Sequence, residues 1–111
     1  MRLILAVLMS LATLPAAAAV QPSSAQCAAQ AVTQAGKLLA FHFGSDERAE
    51  VPGPAKPLPS IVNPANAKQR FDVLEVWGYI YKGQYRMRFE YYRAGDSCVL
   101  MGQEILEYAS L

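Results

Sequence analysis

The sequence predicts an α+β domain: one N-terminal helix packed on a three- to four-stranded antiparallel β-meander and held there by one disulfide. Three observations predict it. An alanine-rich stretch repeats its apolar residues at helical spacing. Three later runs are strand-like and separated by short turns. Two cysteines, Cys27 and Cys98, lie one in each part.

The chain opens on "MRLILAVLMSLATLPAAAA". Arg2, an apolar run from Leu3 to Leu14, Pro15 and the small residues Ala16 to Ala19 make the three regions of a secretory signal peptide. Ala17 and Ala19 meet the A-x-A requirement, so residues 1–19 are expected to be cleaved and residues 20–111 to form one small domain. A membrane anchor would need about 20 apolar residues. Pro15, the alanine block and the lack of a Lys/Arg stop argue against one. Cys27 stands well past the apolar run and lacks the context of a lipoprotein cysteine.

Without Arg2 the remaining bases equal the nine acids, so no long-range field draws the domain to nucleic acid or anionic lipid. A core this small is marginal on its own. In an exported chain with an even cysteine count, a Cys27–Cys98 disulfide is the expected staple. Neither cysteine sits in a C-x-x-C pair or beside a base, which argues against redox catalysis.

Ser23-Ser24-Ala25-Gln26 reads as a capping box that starts a helix, and Gly44 marks its end after Phe43. Cys27, Ala31, Ala35, Leu38 and His42 form one stripe, so the cysteine sulfur should face the core. Residues 45–69 carry Pro52, Pro54, Pro57, Pro59 and Pro64 and are expected to form a stiff, extended proline-rich loop, with Ile61 and Val62 as a brief strand or anchor. Strands are expected at about 71–81, 84–93 and 98–108.

In the middle strand Tyr85, Met87, Phe89 and Tyr91 alternate with Gln84, Arg86, Arg88 and Glu90, so the first set faces the helix. A two-residue turn at Gly95-Asp96 pairs Tyr91 with Leu100, Phe89 with Gly102 and Tyr85 with Leu106, and puts Cys98 on the same inward face. It also turns Glu104 inward opposite Met87, unless a bulge around Gly102 rotates it out or the strand end reaches water. For the first hairpin, a Lys82-Gly83 turn pairs Ile80 with Tyr85 and sends Leu74, Val76 and Ile80 inward, at the cost of setting Glu75 against Glu90. A three-residue Tyr81-Lys82-Gly83 turn would flip every side chain. The first segregates polarity better and is preferred.

The outer face then carries Trp77, Tyr79, Tyr81, Arg86, Arg88 and Tyr92. Arginine beside tryptophan and tyrosine is the composition of binding hot spots, and the same residues could equally form a self-contained stacked ladder. No catalytic pattern accompanies them. The one histidine, His42, suits a helix C-terminus, where its cation opposes the dipole. There is no H-x-x-x-H, C-x-x-C or D-x-D-x-D-G metal motif, and nothing selects a carboxylate pair from the nine acids. The run Lys82 to Phe89 matches the RNA-recognition strand at too few positions.

The sequence therefore points to an exported, periplasmic or secreted, non-enzymatic binding protein with no cofactor and no metal. It would dock a protein of the cell envelope, as an inhibitor or accessory factor does, without nucleic acid and without a stable membrane anchor. The alternatives are a small-ligand carrier or minor enzyme with a pocket lined by Tyr85, Tyr91 and Tyr108, and a homodimer closed through the aromatic face.

Overall fold

The computed structural model describes Ala6 and residues 20–109; the expected leader otherwise lies outside the described residues. One helix, α1 (Ala28–Phe43), lies on an antiparallel sheet of β1 (Ala49–Glu50), β2 (Lys56–Asn63), β3 (Asn66–Ile80), β4 (Gly83–Ala94) and β5 (Ser97–Tyr108). The strands run β1-β3-β4-β5, with β2 also paired to β3. Since β1 pairs with the end of β3 and β2 with its beginning, the two share one edge of the sheet. Among the described residues, no helix is long and apolar enough to cross a membrane.

Small side chains set the helix close to the sheet. Ala31, Ala35, Leu38 and Leu39 are its buried residues, packed with Leu74, Val76, Met87, Phe89 and Tyr91. The closest approach falls on Gly78 of β3. A Cβ there would stand 2.7 Å from Leu39 Cδ1 and 2.8 Å from Met87 Cε, so any larger residue would push both side-chain ends aside. His42, expected on the stripe, is exposed, and Leu39 takes the buried position instead.

The helix begins later than the capping-box pattern suggests. Cys27 is its N-cap residue and no side chain caps it. The Ser23 hydroxyl instead accepts the Val73 N–H at 2.7 Å, because residues 21–23 run along β2, with Ser23 N–H to the Leu58 carbonyl and Ser60 N–H to the Gln21 carbonyl. At the other end Gly44, at φ 77°, donates its N–H to the Ala40 carbonyl as the expected stop. Cys27 and Cys98 are bonded, their Cα atoms 5.8 Å apart across 71 positions of chain.

Residues 45–69 are not a loop throughout. They contain β1, β2 and the first turn of β3. Prolines are tolerated because β2 is an edge strand: Pro57 pairs with Leu74, while Pro59 falls in the register shift between Leu58 and Ile61.

The hairpin registers correct two expectations. The β3–β4 turn is Tyr81-Lys82, one residue earlier than Lys82-Gly83, so Ile80 pairs with Gly83, Val76 with Met87 and Leu74 with Phe89. A slip of two preserves which face each side chain occupies, so Leu74 and Val76 remain inside. It also replaces the unfavourable Glu75–Glu90 pair with Glu75 opposite Arg88. In the β4–β5 hairpin Gly95-Asp96 is the turn and Tyr91 pairs with Leu100, as expected. Beyond them Met101 is an extra residue: Glu90 pairs with Gly102 and Phe89 with Gln103. This bulge sets Ile105, not Glu104, opposite Met87 and turns Glu104 to the outer face opposite Arg88.

Two predictions follow from this framework. Replacing Cys27 and Cys98 together by serine frees a loop of 71 residues and should cost about 4 kcal/mol in denaturant unfolding. Tyr81 holds φ 53° in its turn, a region that disfavours a residue with a Cβ. Tyr81→Gly should therefore raise stability by about 0.5–1 kcal/mol, read as a higher melting temperature.

Candidate functional site

With α1 on one face of the sheet, the opposite face of β3, β4 and β5 carries no second layer among the described residues. Strand alternation places Trp77 and Tyr79 of β3, Arg86, Arg88 and Tyr92 of β4, and Glu104, Leu106 and Tyr108 of β5 on it. Cross-strand pairing arranges these in rows. Tyr79, Gln84 and Tyr108 form one, and Trp77, Arg86 and Leu106 the next. Lys56, Glu75, Arg88 and Glu104 form a third that alternates in charge across four strands.

Much of this face is internally bonded. Glu75 is buried and accepts from both the Trp77 indole, Nε1 to Oε1 at 3.2 Å, and the Arg88 guanidinium, Nε to Oε2 at 3.0 Å. That carboxylate anchors the indole N–H and pairs with Arg88 at the same time. The Trp77 ring lies 5.3 Å from that of Tyr108, and Arg86 reaches the Tyr108 hydroxyl with Nη1 at 2.9 Å while its Cζ stands 5.7 Å from the ring centre. The stacked ladder anticipated from composition is thus present around Trp77.

Arg86 differs from its neighbours. Arg88 has Glu75, Arg93 has Asp72 and Arg48 has Asp46 as carboxylate partners, whereas Arg86, like Arg70 on β3, which bonds to Ser60, has none among the described residues. Its Nε is buried and has no hydrogen-bond acceptor. A buried donor without an acceptor is rare and costly, because its water has been removed and nothing has replaced it.

Of the six residues expected on the docking face, Trp77, Tyr79, Arg86, Arg88 and Tyr92 are there. Tyr81 is not: it occupies the β3–β4 turn, is 70% exposed, and has the Arg48 guanidinium and the Lys82 ammonium 5.4 and 5.5 Å from its ring centre. The earlier turn removes it from the strand. Glu75 and Tyr108 are the residues of this site that sequence reasoning missed. Both depend on hairpin register, which places Glu75 beside Arg88 and Tyr108 beside Trp77.

The three tyrosines proposed to line one pocket are separated. Tyr85 lies buried on the helix side with its ring 4.5 Å from Phe43, Tyr91 is buried beside the disulfide strand, and Tyr108 is on the opposite face. Burial pushes the phenols of Tyr85 and Tyr91 above their ordinary pKa, helped for Tyr85 by the carboxylates of Glu107 and Asp46, so both stay protonated at neutral pH. Between the end of α1 and residues 44–51 there is an open hollow of about 530 Å³, walled by Leu39, Ala40, Val51 and Asp46. The Arg48 guanidinium and backbone N–H hold the Asp46 carboxyl at about 2, so it is a permanent anion engaged within its own turn. No group of three or more His, Cys, Asp or Glu side chains suited to a metal ion occurs among the described residues.

Asp72 performs on the helix side the role of Glu75 outside. It is 5% exposed, accepts the Ser24 N–H at 2.9 Å and pairs with Arg93 Nε at 2.6 Å, which ties the segment before α1 to the sheet.

Glu75→Ala should release the Trp77 indole and leave Arg88 without its counter-ion. We expect a loss of about 1–3 kcal/mol in stability together with a red shift and broadening of the fluorescence of Trp77, the single tryptophan.

No protein-family model matches this chain, no curated protein is significantly similar to it, and no solved structure matches its fold significantly.

Proposed function

We propose that this chain is a small exported, non-enzymatic binding protein that docks a protein partner of the cell envelope over the outer face of β3, β4 and β5, with Arg86 receiving a carboxylate of that partner. The observation that carries the reading is the state of Arg86. It is a cation without an anion among the described residues, set over the ring of Tyr108, with a buried Nε that has no acceptor. A partner carboxylate meeting the terminal N–H groups of the guanidinium supplies the missing counter-charge, and a guanidinium–carboxylate bond is among the stronger contacts a protein surface can make. The surrounding aromatic rings and the exposed Leu106 provide the apolar rim that excludes water from it.

Export rests on the leader pattern of residues 1–19, and the Cys27–Cys98 disulfide fits an oxidising compartment. Periplasm and extracellular space are equally compatible with both. An inhibitor or an accessory subunit of an envelope assembly fits a domain that offers a rigid surface and no arrangement of reacting groups.

The test uses Arg86→Glu alone. Arg88→Glu would confound it by placing an acid between Glu75 and Glu104 in the charge-alternating row. The partner is captured from an envelope fraction with the wild-type protein and identified, and its affinity is then measured for wild type, Arg86→Lys and Arg86→Glu. Arg86→Glu should weaken the complex at least about tenfold, equal to about 1.4 kcal/mol, with Arg86→Lys intermediate and the melting temperature nearly unchanged. Equal affinities for all three overturn the docking reading. A concentration-dependent dimer lost in Arg86→Glu replaces the foreign partner with a second copy.

A further inference from the structure

The two edges of the sheet are finished differently. On the β2 edge, residues 21–23 run alongside the strand and bond to Leu58 and Ser60, while Pro57 and Pro59 have no N–H to offer. This is how sheets close an edge against further pairing. The β5 edge has none of these devices beyond its one bulge. Ser97–Tyr108 pairs with β4 only, contains no proline, lysine or arginine, and exposes Val99, Met101, Leu106 and Tyr108. Past the bulge, Gly102 to Tyr108 continue in regular register, with outward backbone groups that no described segment meets.

Beside this edge runs a groove. Its floor is Tyr91, Cys98 and Leu100, and its wall is the side of α1 bearing Thr33, Gln34 and Lys37; this part holds about 390 Å³. A further 250 Å³ continues it past Gln103 to Phe41, which is 84% exposed. The single bridge across it, Gln34 Nε2 to Gln103 Oε1 at 3.1 Å, is an exposed contact between two flexible amides. A bare strand edge next to a helix-walled groove is the arrangement in which an extended peptide adds as a new strand. Its backbone then bonds to the edge and every second side chain drops into the groove.

We propose that β5 is such a strand-addition site, and that its occupant is an extended segment of another polypeptide in which apolar residues alternate with basic ones. The alternation follows from the two sides of β5. Side chains turned to the helix side would meet Leu100, Tyr91 and Ile105, with Lys37 of α1 and Glu107 farther along β5 as oppositely charged groups, which favours apolar residues. Side chains turned to the other face would meet Glu104, which forms no ion pair among the described residues and lies in a strand with no base. A second copy of β5 fits less well, since that strand has no basic side chain to offer Glu104. The added strand would border the Arg86 face at Leu106, but its backbone bonds would be made to the free edge of β5 and not to Arg86, so neither reading requires the other.

The test titrates the ¹⁵N-labelled, disulfide-bonded protein with three short peptides: alternating valine and lysine, the same sequence with methylated backbone nitrogens, and alternating valine and glutamate. We expect the valine–lysine peptide alone to bind. Shifts should be confined to the amides of 97–108 and the facing side of α1, with slowed hydrogen exchange along β5. Glu104→Lys should weaken that peptide at least about tenfold and admit the glutamate peptide. Equal binding of the methylated peptide, shifts centred on Trp77 and Arg86, or no binding at millimolar peptide each overturn the proposal. So does a concentration-dependent dimer whose shifts map to β5, which assigns the edge to a second copy.

Discussion

The bond between Cys27 and Cys98 joins the residue that starts the helix to the second residue of the last strand, and the layering of the molecule depends on it. Once the beginning of α1 is tied to β5, the helix can lie on only one face of the sheet, and it crosses β3 where Gly78 leaves room for Leu39. The apolar alternation of β4 is thereby committed inward and its arginines outward. Two further ties hold the same end: the Ser24 N–H on buried Asp72, and the Ser23 hydroxyl under the Val73 N–H. Entropy explains the concentration of ties. A helix whose buried face is half alanine removes less apolar area from water than one lined by larger side chains, so covalent and polar contacts help packing to hold its position.

Freedom on the outer face follows from that arrangement. A one-layer helix-on-sheet domain must leave one side of its sheet without a covering element, and here that side is kept rigid by bonds among its own residues. Glu75 is central, since one buried carboxylate orients an indole and balances a guanidinium. Held in this way, Trp77 and Tyr108 have little further freedom to lose, which would lower the entropic cost of the docking proposed above. The unsatisfied Nε of Arg86 marks where the internal bonding stops.

Edges obey the same logic in a different direction. The segment that leads into α1 passes along β2 and closes that side, whereas the disulfide draws the start of α1 toward β5 without letting the helix cover its edge. The groove between α1 and β5 is what remains where the helix does not cover the last strand.

The local signals in the chain were enough for the class of fold, the disulfide, the inward set Leu74, Val76, Tyr85, Met87, Phe89 and Tyr91, and the end of the helix at Gly44. Each of these is written in spacing: period two for β4, three or four for α1, and the requirement that both sulfurs share a face. What sequence could not decide was anything that shifts a strand by two or inserts one residue, because such changes preserve local pattern while moving every cross-strand neighbour. The Tyr81-Lys82 turn and the Met101 bulge are of this kind, and they placed Glu75 beside Arg88, Glu104 outside and Tyr108 beside Trp77. The capping box at Ser23 failed for a related reason: its hydroxyl found a better partner on Val73, fifty positions away. Pro57 and Pro59 were legible as breakers of regular structure, yet only tertiary pairing revealed that they lie on an edge strand, where an absent N–H costs nothing. By itself the sequence determined the inward set of β3 and β4, since burial there follows local periodicity; tertiary structure decided the inward face of β5 past its bulge and which of the outside residues touch, since both depend on register summed along the sheet.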